Sequence, residues 1–166
     1  MATTQFYKRP TAFRRRVYDP FMRMLIIRFG FGGFLDRRGR DTVQVLCVRG
    51  RRTGTVYRRP VGVSVFRDAR YVIGFYGHTQ WSRNLRAQGS AQLHRGKALA
   101  EVAAIEVSGE EKEAFLRELV DRYHFFARAW LKVDPNRLTD DELQRLVANY
   151  PVFRLEARAG GKPPRA

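Results

Sequence analysis

A succession of short β-rich runs, separated by very short turn-forming connections, restricts the fold of this chain more than any other feature. Thr42–Val48 is dense in β-branched residues and reads as a central strand. Gly50-Arg51-Arg52-Thr53-Gly54 follows as a tight basic turn, and Arg58–Phe66 reads as a second strand. Arg67-Asp68-Ala69-Arg70 is a short hairpin connection to a third strand, Tyr71–Phe75. Ala91–Arg95 and Lys97–Val107 form another hairpin around Gly96, and Pro151–Glu156 is a last strand. A parallel doubly wound sheet needs a long crossover between successive strands, and hairpins leave no room for one. The expected fold is mainly β with helices (α+β), a small antiparallel barrel with helices around it.

Three helices are expected within that frame. Thr79–Gln88 reads as a short helix closed by Gly89. Ser108 with Glu111 has the spacing of a capping box, for a helix running to about Trp130. Thr139 with Glu142 makes a second one, for a helix to about Asn149. Upstream, residues 1–12 read as a loose arm and Phe13–Phe29 as helical, interrupted at Asp19-Pro20, with Gly30, Gly32 and Gly33 ending the helix. That segment either packs on the domain or lies flat on an anionic membrane, inserting Phe21, Met24 and Leu25 with Arg23 and Arg28 at the headgroups and the basic run Arg14-Arg15-Arg16 just upstream. The organisation expected is a basic amphipathic N-terminal helical segment over 1–37, a barrel domain over 38–157 with a helical insertion at about 108–149, and a mobile tail over 158–166. No apolar run approaches the ~18 residues of a spanning helix, and the N-terminus has no signal-peptide pattern.

Charge narrows the partners. The chain carries a net +16, and residues 1–59 hold fifteen basic against three acidic residues. Only five basic residues are Lys, so Arg, with its planar fork of donors, dominates. The front third therefore calls for an anionic partner, whether nucleic acid, anionic lipid or a polyanionic cofactor. Catalytic machinery is sparse. His78, His94 and His124 have no metal-ligand spacing, and the single Cys47 sits in an apolar run, as a buried inert thiol suited to a reducing cytosol. No Ser occupies a nucleophile elbow, and the glycine loop is too short for a Walker motif. An enzyme of this composition borrows its chemistry from a cofactor.

Two constellations carry that possibility. Gly50–Gly54 frees backbone N–H groups and adds Arg51, Arg52 and the Thr53 hydroxyl, a cradle for a phosphate; the bland alternative is a solvated hairpin turn. Trp81 and Asn84, three apart on a helix, share a face and suit one wall of a polar-rimmed pocket; the bland alternative is a core Trp beside a surface Asn.

Gly50-Arg-Arg-Thr-Gly-Thr-Val-Tyr-Arg-Arg-Pro60-Val61, Tyr71-Val-Ile-Gly-Phe-Tyr-Gly77 and Trp81-Ser-Arg-Asn84-Leu-Arg-Ala, in this order and spacing, resemble the deazaflavin (coenzyme F420)-dependent nitroreductase family, whose members are described as F420-dependent quinone reductases. The closing Pro151-Val-Phe-Arg-Leu155 is similar to that family's last strand, and the resemblance covers roughly residues 40–110 and 150–156. It implies a split β-barrel of the flavin-oxidase type with N-terminal and C-terminal helices. It implies that Arg51, Arg52 and Thr53 meet the phosphodiester and glutamate carboxylates of coenzyme F420. Pro60 and Val61 would lie along the deazaflavin ring, Gly74, Phe75, Tyr76 and Gly77 beside it, and Trp81 and Asn84 would help hold it. Tyr57 and Arg59 stand where relatives carry an Arg and an Asn, which shifts a phosphate contact to Arg58 or Arg59. Tyr76-Gly77-His78 replaces a Ser-Lys pair. The segment Tyr123–Asn149 is longer than in relatives and is a candidate lid, with Tyr123, Phe125, Phe126 and Trp130 either lining the acceptor pocket or forming helix core.

The activity so implied is hydride transfer from reduced F420 to a quinone, nitro or enone acceptor, with Tyr76, His78 or solvent supplying the proton. A membrane-dissolved quinone would give the basic, apolar N-terminal segment a purpose at the inner face of the plasma membrane. Three rivals remain open at this point: a basic nucleic-acid-binding module, although no recognition-helix, zinc-finger or RNP pattern supports specific binding; a non-enzymatic carrier of a lipid or coenzyme on the same barrel; and the same fold loaded with FMN or haem.

Overall fold

The computed structural model describes residues 41–96, 98–124 and 127–158. The N-terminal segment of the expected organisation, the tail beyond 158, and Phe125 and Phe126 lie outside the described residues. Six strands, β1 (Asp41–Arg49), β2 (Val56–Phe66), β3 (Ala69–Ile73), β4 (Ser90–Arg95), β5 (Ala98–Glu106) and β6 (Val152–Ala157), close into an antiparallel barrel of order β1-β2-β3-β6-β5-β4. Helix α1 (Gln80–Gln88) falls between β3 and β4. Helices α2 (Gly109–Arg122) and α3 (Asp140–Asn149) fall between β5 and β6.

Local chemistry accounts for much of this. The β2–β3 turn consists of Arg67 and Asp68 with φ of 47° and 62°, the mirror-image turn whose twist matches the flanking strands. Gly89 ends α1 with φ 61°, its N–H donating to the Leu85 carbonyl. Thr139 and Glu142 form the expected capping box on α3.

The other expected box is absent. Ser108 is the N-cap of α2, but its side chain makes no capping bond. Glu111 is drawn away instead, accepting from the Tyr71 hydroxyl at 2.9 Å and from Arg154 Nη1 at 2.6 Å. Burial works to raise the Glu111 carboxyl, and these bonds outweigh it, so its pKa lies below the ordinary value. Two carboxylate bonds, one from a guanidinium, outcompete one backbone N–H. The helix also stops at Arg122 rather than running to Trp130, and a π-helical turn at Ala127–Leu131 follows. Thr139→Ala should therefore cost about 1 kcal/mol in chemical denaturation, while Ser108→Ala should cost only a few tenths.

The strand pleat sorts side chains into two main cores, with Val45 and Cys47 of β1 buried in a smaller third cluster. Inside the barrel lie Leu46, Val48, Val61, Val63, Val72, Leu93, Val102, Ala104, Phe153 and Leu155, with Leu85 of α1 plugging one end. Outside it, Tyr71, Ile73 and Val152 form a platform on which Phe115, Leu116, Leu119, Leu143 and Leu146 of α2 and α3 pack. Tyr71 and Phe115 stack there at 4.8 Å. Ala127, Leu131 and Val133 are buried in this outer core and Tyr123 packs against it, so the candidate lid supplies core in its described part. Among the described residues no helix is long and apolar enough to cross a membrane, and no group of three His, Cys, Asp or Glu is placed to hold a metal.

Candidate functional site

The basic turn between β1 and β2 is a built loop. Gly50 N–H donates to Thr55 O at 2.8 Å and Gly54 N–H to Gly50 O at 2.9 Å. Gly54 has φ +69°, and a Cβ on Gly50 would come within 2.8 Å of the Tyr57 ring, so each glycine is needed for a different reason. Thr53 Oγ1 accepts from Thr55 N–H at 3.3 Å, giving the hydroxyl a role inside the loop.

Arg51 reaches from this loop to α1. Its Nη1 donates to Asn84 Oδ1 at 3.0 Å and to Gln80 Oε1 at 3.1 Å, and its backbone N–H donates to the same Asn84 oxygen at 3.4 Å. Gln80 and Asn84, four apart, form one ridge of the helix. Asn84 is buried, so its carboxamide is a brace that fixes where the guanidinium sits. Among the described residues Arg51 Nε and Nη2 have no partner, and Arg52 is exposed.

Beside the loop the barrel wall opens. β3 pairs only with residues 63–66 of β2, while residues 56–62 pair only with β1 among the described residues. In this stretch Val61 faces the barrel interior, and the pleat places Tyr57 and Arg59 on that same side of the strand. Arg58, Pro60 and Gly62 lie on the other. A Cβ on Gly62 would meet nothing within 4 Å, leaving bare backbone exposed. At the expected ring-flanking pair Pro60 is half-buried, and the Val61 side chain is core and only 8 % exposed, so what Val61 offers the opening is backbone. Of the two alternative arginines, Arg59 shares the Tyr57 side.

The far wall is the turn from Gly74 to Thr79. Gly74 N–H donates to Pro151 O at 2.8 Å, and a Cβ there would lie 2.8 Å from the Pro151 ring. Gly77, with φ +70°, donates back to Gly74 O at 2.8 Å. Phe75 packs on the outer core, away from the loop, and Tyr76 is half-buried on the turn. Trp81 packs against the barrel interior, 6.3 Å from the Phe153 ring. Asn84, three residues along the same helix, braces the loop. Thr79, the N-cap of α1, makes no side-chain capping bond, and its buried Oγ1 has no hydrogen-bond partner.

His78 lies on the opposite flank of α1 from Arg51. Its Nδ1 accepts from Arg86 Nη2 at 3.1 Å, and Arg86 grips Glu106 through Nε and through Nη2, the latter at 2.6 Å. Burial, then the Arg86 charge, push the imidazole below its ordinary pKa. The Arg86 bond holds Glu106 low. His78, one of the proton-donor candidates, is thus held beside the Arg86–Glu106 pair. Sequence reasoning missed Gln80, Arg86 and Glu106. The Gln80–Asn84 spacing is a helical signal visible beforehand, whereas nothing local links Arg86 to a carboxylate twenty residues away.

Comparisons with known proteins give the geometry its context. A family model described as F420H(2)-dependent quinone reductase matches residues 30–134. No curated protein matches. Among solved structures, one described as a domain-swapped dimer superposes with a TM-score of 0.50 over 82% of this chain and 98% of its own, at 20% identity. The protein Atu2129, of unknown function, from Agrobacterium tumefaciens also gives 0.50, over 69% of this chain at 14% identity; the chain spans 48% of its length. A structure described as F420-H2 dependent reductase (FDR-A) is 22% identical over 69% of this chain and 93% of its own, with a TM-score of 0.48. The two likenesses with a TM-score of 0.50 speak to the fold alone.

Proposed function

Because this chain belongs to the F420H(2)-dependent quinone reductase family, we propose that it binds reduced coenzyme F420 at the opening beside the Arg51 loop and uses it to reduce a quinone, nitro or enone acceptor. The observation that carries this reading is the guanidinium of Arg51, fixed by buried Asn84 at the edge of a stretch of β2 that β3 leaves uncovered.

The residues present fit such a ligand. A phosphodiester and several carboxylates call for cationic donors, and Arg51, Arg52, Arg58 and Arg59 are all exposed on or next to the loop. The Thr79 hydroxyl, buried and unpartnered at the start of α1, is a polar group in want of a partner at the same end of that helix. Bare backbone at Gly62 beside Pro60 offers a flat surface for a ring. Bound there, the deazaflavin supplies the hydride. The chain's own residues then orient and desolvate: Asn84 and Gln80 hold Arg51 against the anionic part, and the Gly74–Gly77 turn walls off the other side. Tyr76 on that turn, His78 next to it, or solvent would supply the proton to the acceptor oxygen.

The N-terminal basic segment fits an acceptor dissolved in an anionic membrane, and we carry that as part of the same reading. Titration with reduced F420, followed by addition of a menaquinone analogue, tests the proposal through the deazaflavin absorbance. Saturable binding and oxidation on adding the acceptor are expected. Binding without oxidation would make the protein a carrier, and no binding would end the proposal. A flavin or haem spectrum in the purified protein would replace the cofactor.

A further inference from the structure

Val45 points out of the barrel and is nevertheless buried. Alternation along β1 sends Leu46 and Val48 inward, so Val43, Val45 and Cys47 face outward. An outward side chain on a closed antiparallel barrel meets solvent unless something lies over it. Yet Val45 is 3% exposed and Cys47 5%. The flanking strands lie beside these residues, not on top of them. Val45 pairs with Pro60 and His94, Cys47 pairs with Arg58 and Gln92, and all four of these partners keep some exposure of their own. The helices are engaged elsewhere. α2 and α3 pack on Tyr71, Ile73 and Val152 of β3 and β6, and α1 sends Leu85 into the barrel end. In the strand order, β6 lies three strands from β1 in either direction. Among the described residues, the apolar side chains grouped with Val45 are those of Cys47 and Val43.

We propose that the outer face of β1 is a docking surface for residues 20–34 of the same chain, which lie outside the described residues. Composition, reach and tethering select this occupant. Residues 20–34 hold nine large apolar side chains, with Leu25, Ile26 and Ile27 at the centre, against two arginines. Residues 35–40 span up to about 20 Å when extended, which matches the length of β1 from Asp41 to Cys47, so the chain can fold back along the strand it enters. A second copy would have to give up translational freedom to lie on the same face, whereas a segment joined to the strand already has. The basic run Arg14-Arg15-Arg16 lies upstream and takes no part in the docking. The docked segment also borders the candidate site. Val43 pairs with Gly62 and Val45 with Pro60, so on the preceding reading the segment stands as a wall beside the surface offered to the ring. Docking itself does not depend on that reading.

Cys47, the one cysteine of the sequence, provides the test. In the full chain, Met22→Cys, Leu25→Cys, Ile26→Cys and Phe29→Cys are made one at a time and oxidised gently. A disulfide needs its two Cα atoms within about 7 Å, so only a residue seated on this face reaches Cys47. At least one of the four should form an intramolecular bond, seen as a faster-migrating monomer on a non-reducing gel, and Thr4→Cys should form none. No intramolecular bond at any of the four positions, or one formed as readily by Thr4→Cys, overturns the proposal. Bonds that form only between chains would seat a second copy on the face and overturn it as well. The bonded chain should bind reduced F420 as well as its unbonded form does. Binding lost on oxidation would put the segment over the coenzyme surface and overturn its place as a wall. Binding absent from both forms ends the preceding reading instead, and the disulfide result alone then judges the docking.

Discussion

Replacing Arg51 and Arg52 together by Ala should weaken binding of reduced F420 by about 100-fold or more, while the melting temperature moves by only a few degrees. Hydrogen bonds to charged groups are worth ~1.5–3 kcal/mol each, and each 1.4 kcal/mol is about tenfold in affinity. Two such contacts to a polyanionic ligand therefore account for two decades. Stability is spared because both side chains are exposed, and because Asn84 keeps the Arg51 backbone N–H as a donor. The wild-type affinity should also fall with added salt, and the double variant should respond less, since the charges that salt screens are gone. Fluorescence titration at two ionic strengths reads both effects. Affinity unchanged by the double substitution would mean that the ligand sits elsewhere.

Phe153→Ala should cost about 3–5 kcal/mol of folding free energy. Phe153 is fully buried inside the barrel, on the strand that joins β3 to β5 and so closes the cylinder, with the Trp81 ring beside it. A closed barrel cannot slide one strand inward without breaking register on both sides, so the void stays largely unfilled. At ~2–4 °C per kcal/mol for a domain of this size, the melting temperature should drop by about 10 °C. Leu99→Ala is the control: this side chain is 48% exposed on β5, and its loss should change stability by no more than about 0.5 kcal/mol. Equal costs for the two would mean that the barrel interior is not the principal core.

Much of this molecule is legible locally. The hairpin about Arg67-Asp68, the α1 stop at Gly89 and the Thr139–Glu142 box involve residues within a few positions of each other, so their chemistry is complete in the sequence. The same holds for the basic glycine turn, whose position and charge needed no coordinates. Where sequence reading went astray, a distant competitor had taken the group. Glu111 has the right spacing to cap Ser108 but serves Tyr71 and Arg154, forty and forty-three residues away. Beyond the reach of the sequence, too, were the inward side of Val61, which register with β1 decides, and the bond from Arg86 to His78.

Strand order along the chain, helix boundaries set by caps and the location of the cationic loop were thus determined by the sequence alone, because each depends on covalent neighbours. Barrel closure through the β1–β4 and β3–β6 pairings was decided only in three dimensions. So were the brace of Asn84 on Arg51 and the bond from Arg86 to His78. Each of these is a choice among distant partners, and the winner is the group that closure of the barrel brings within hydrogen-bond reach.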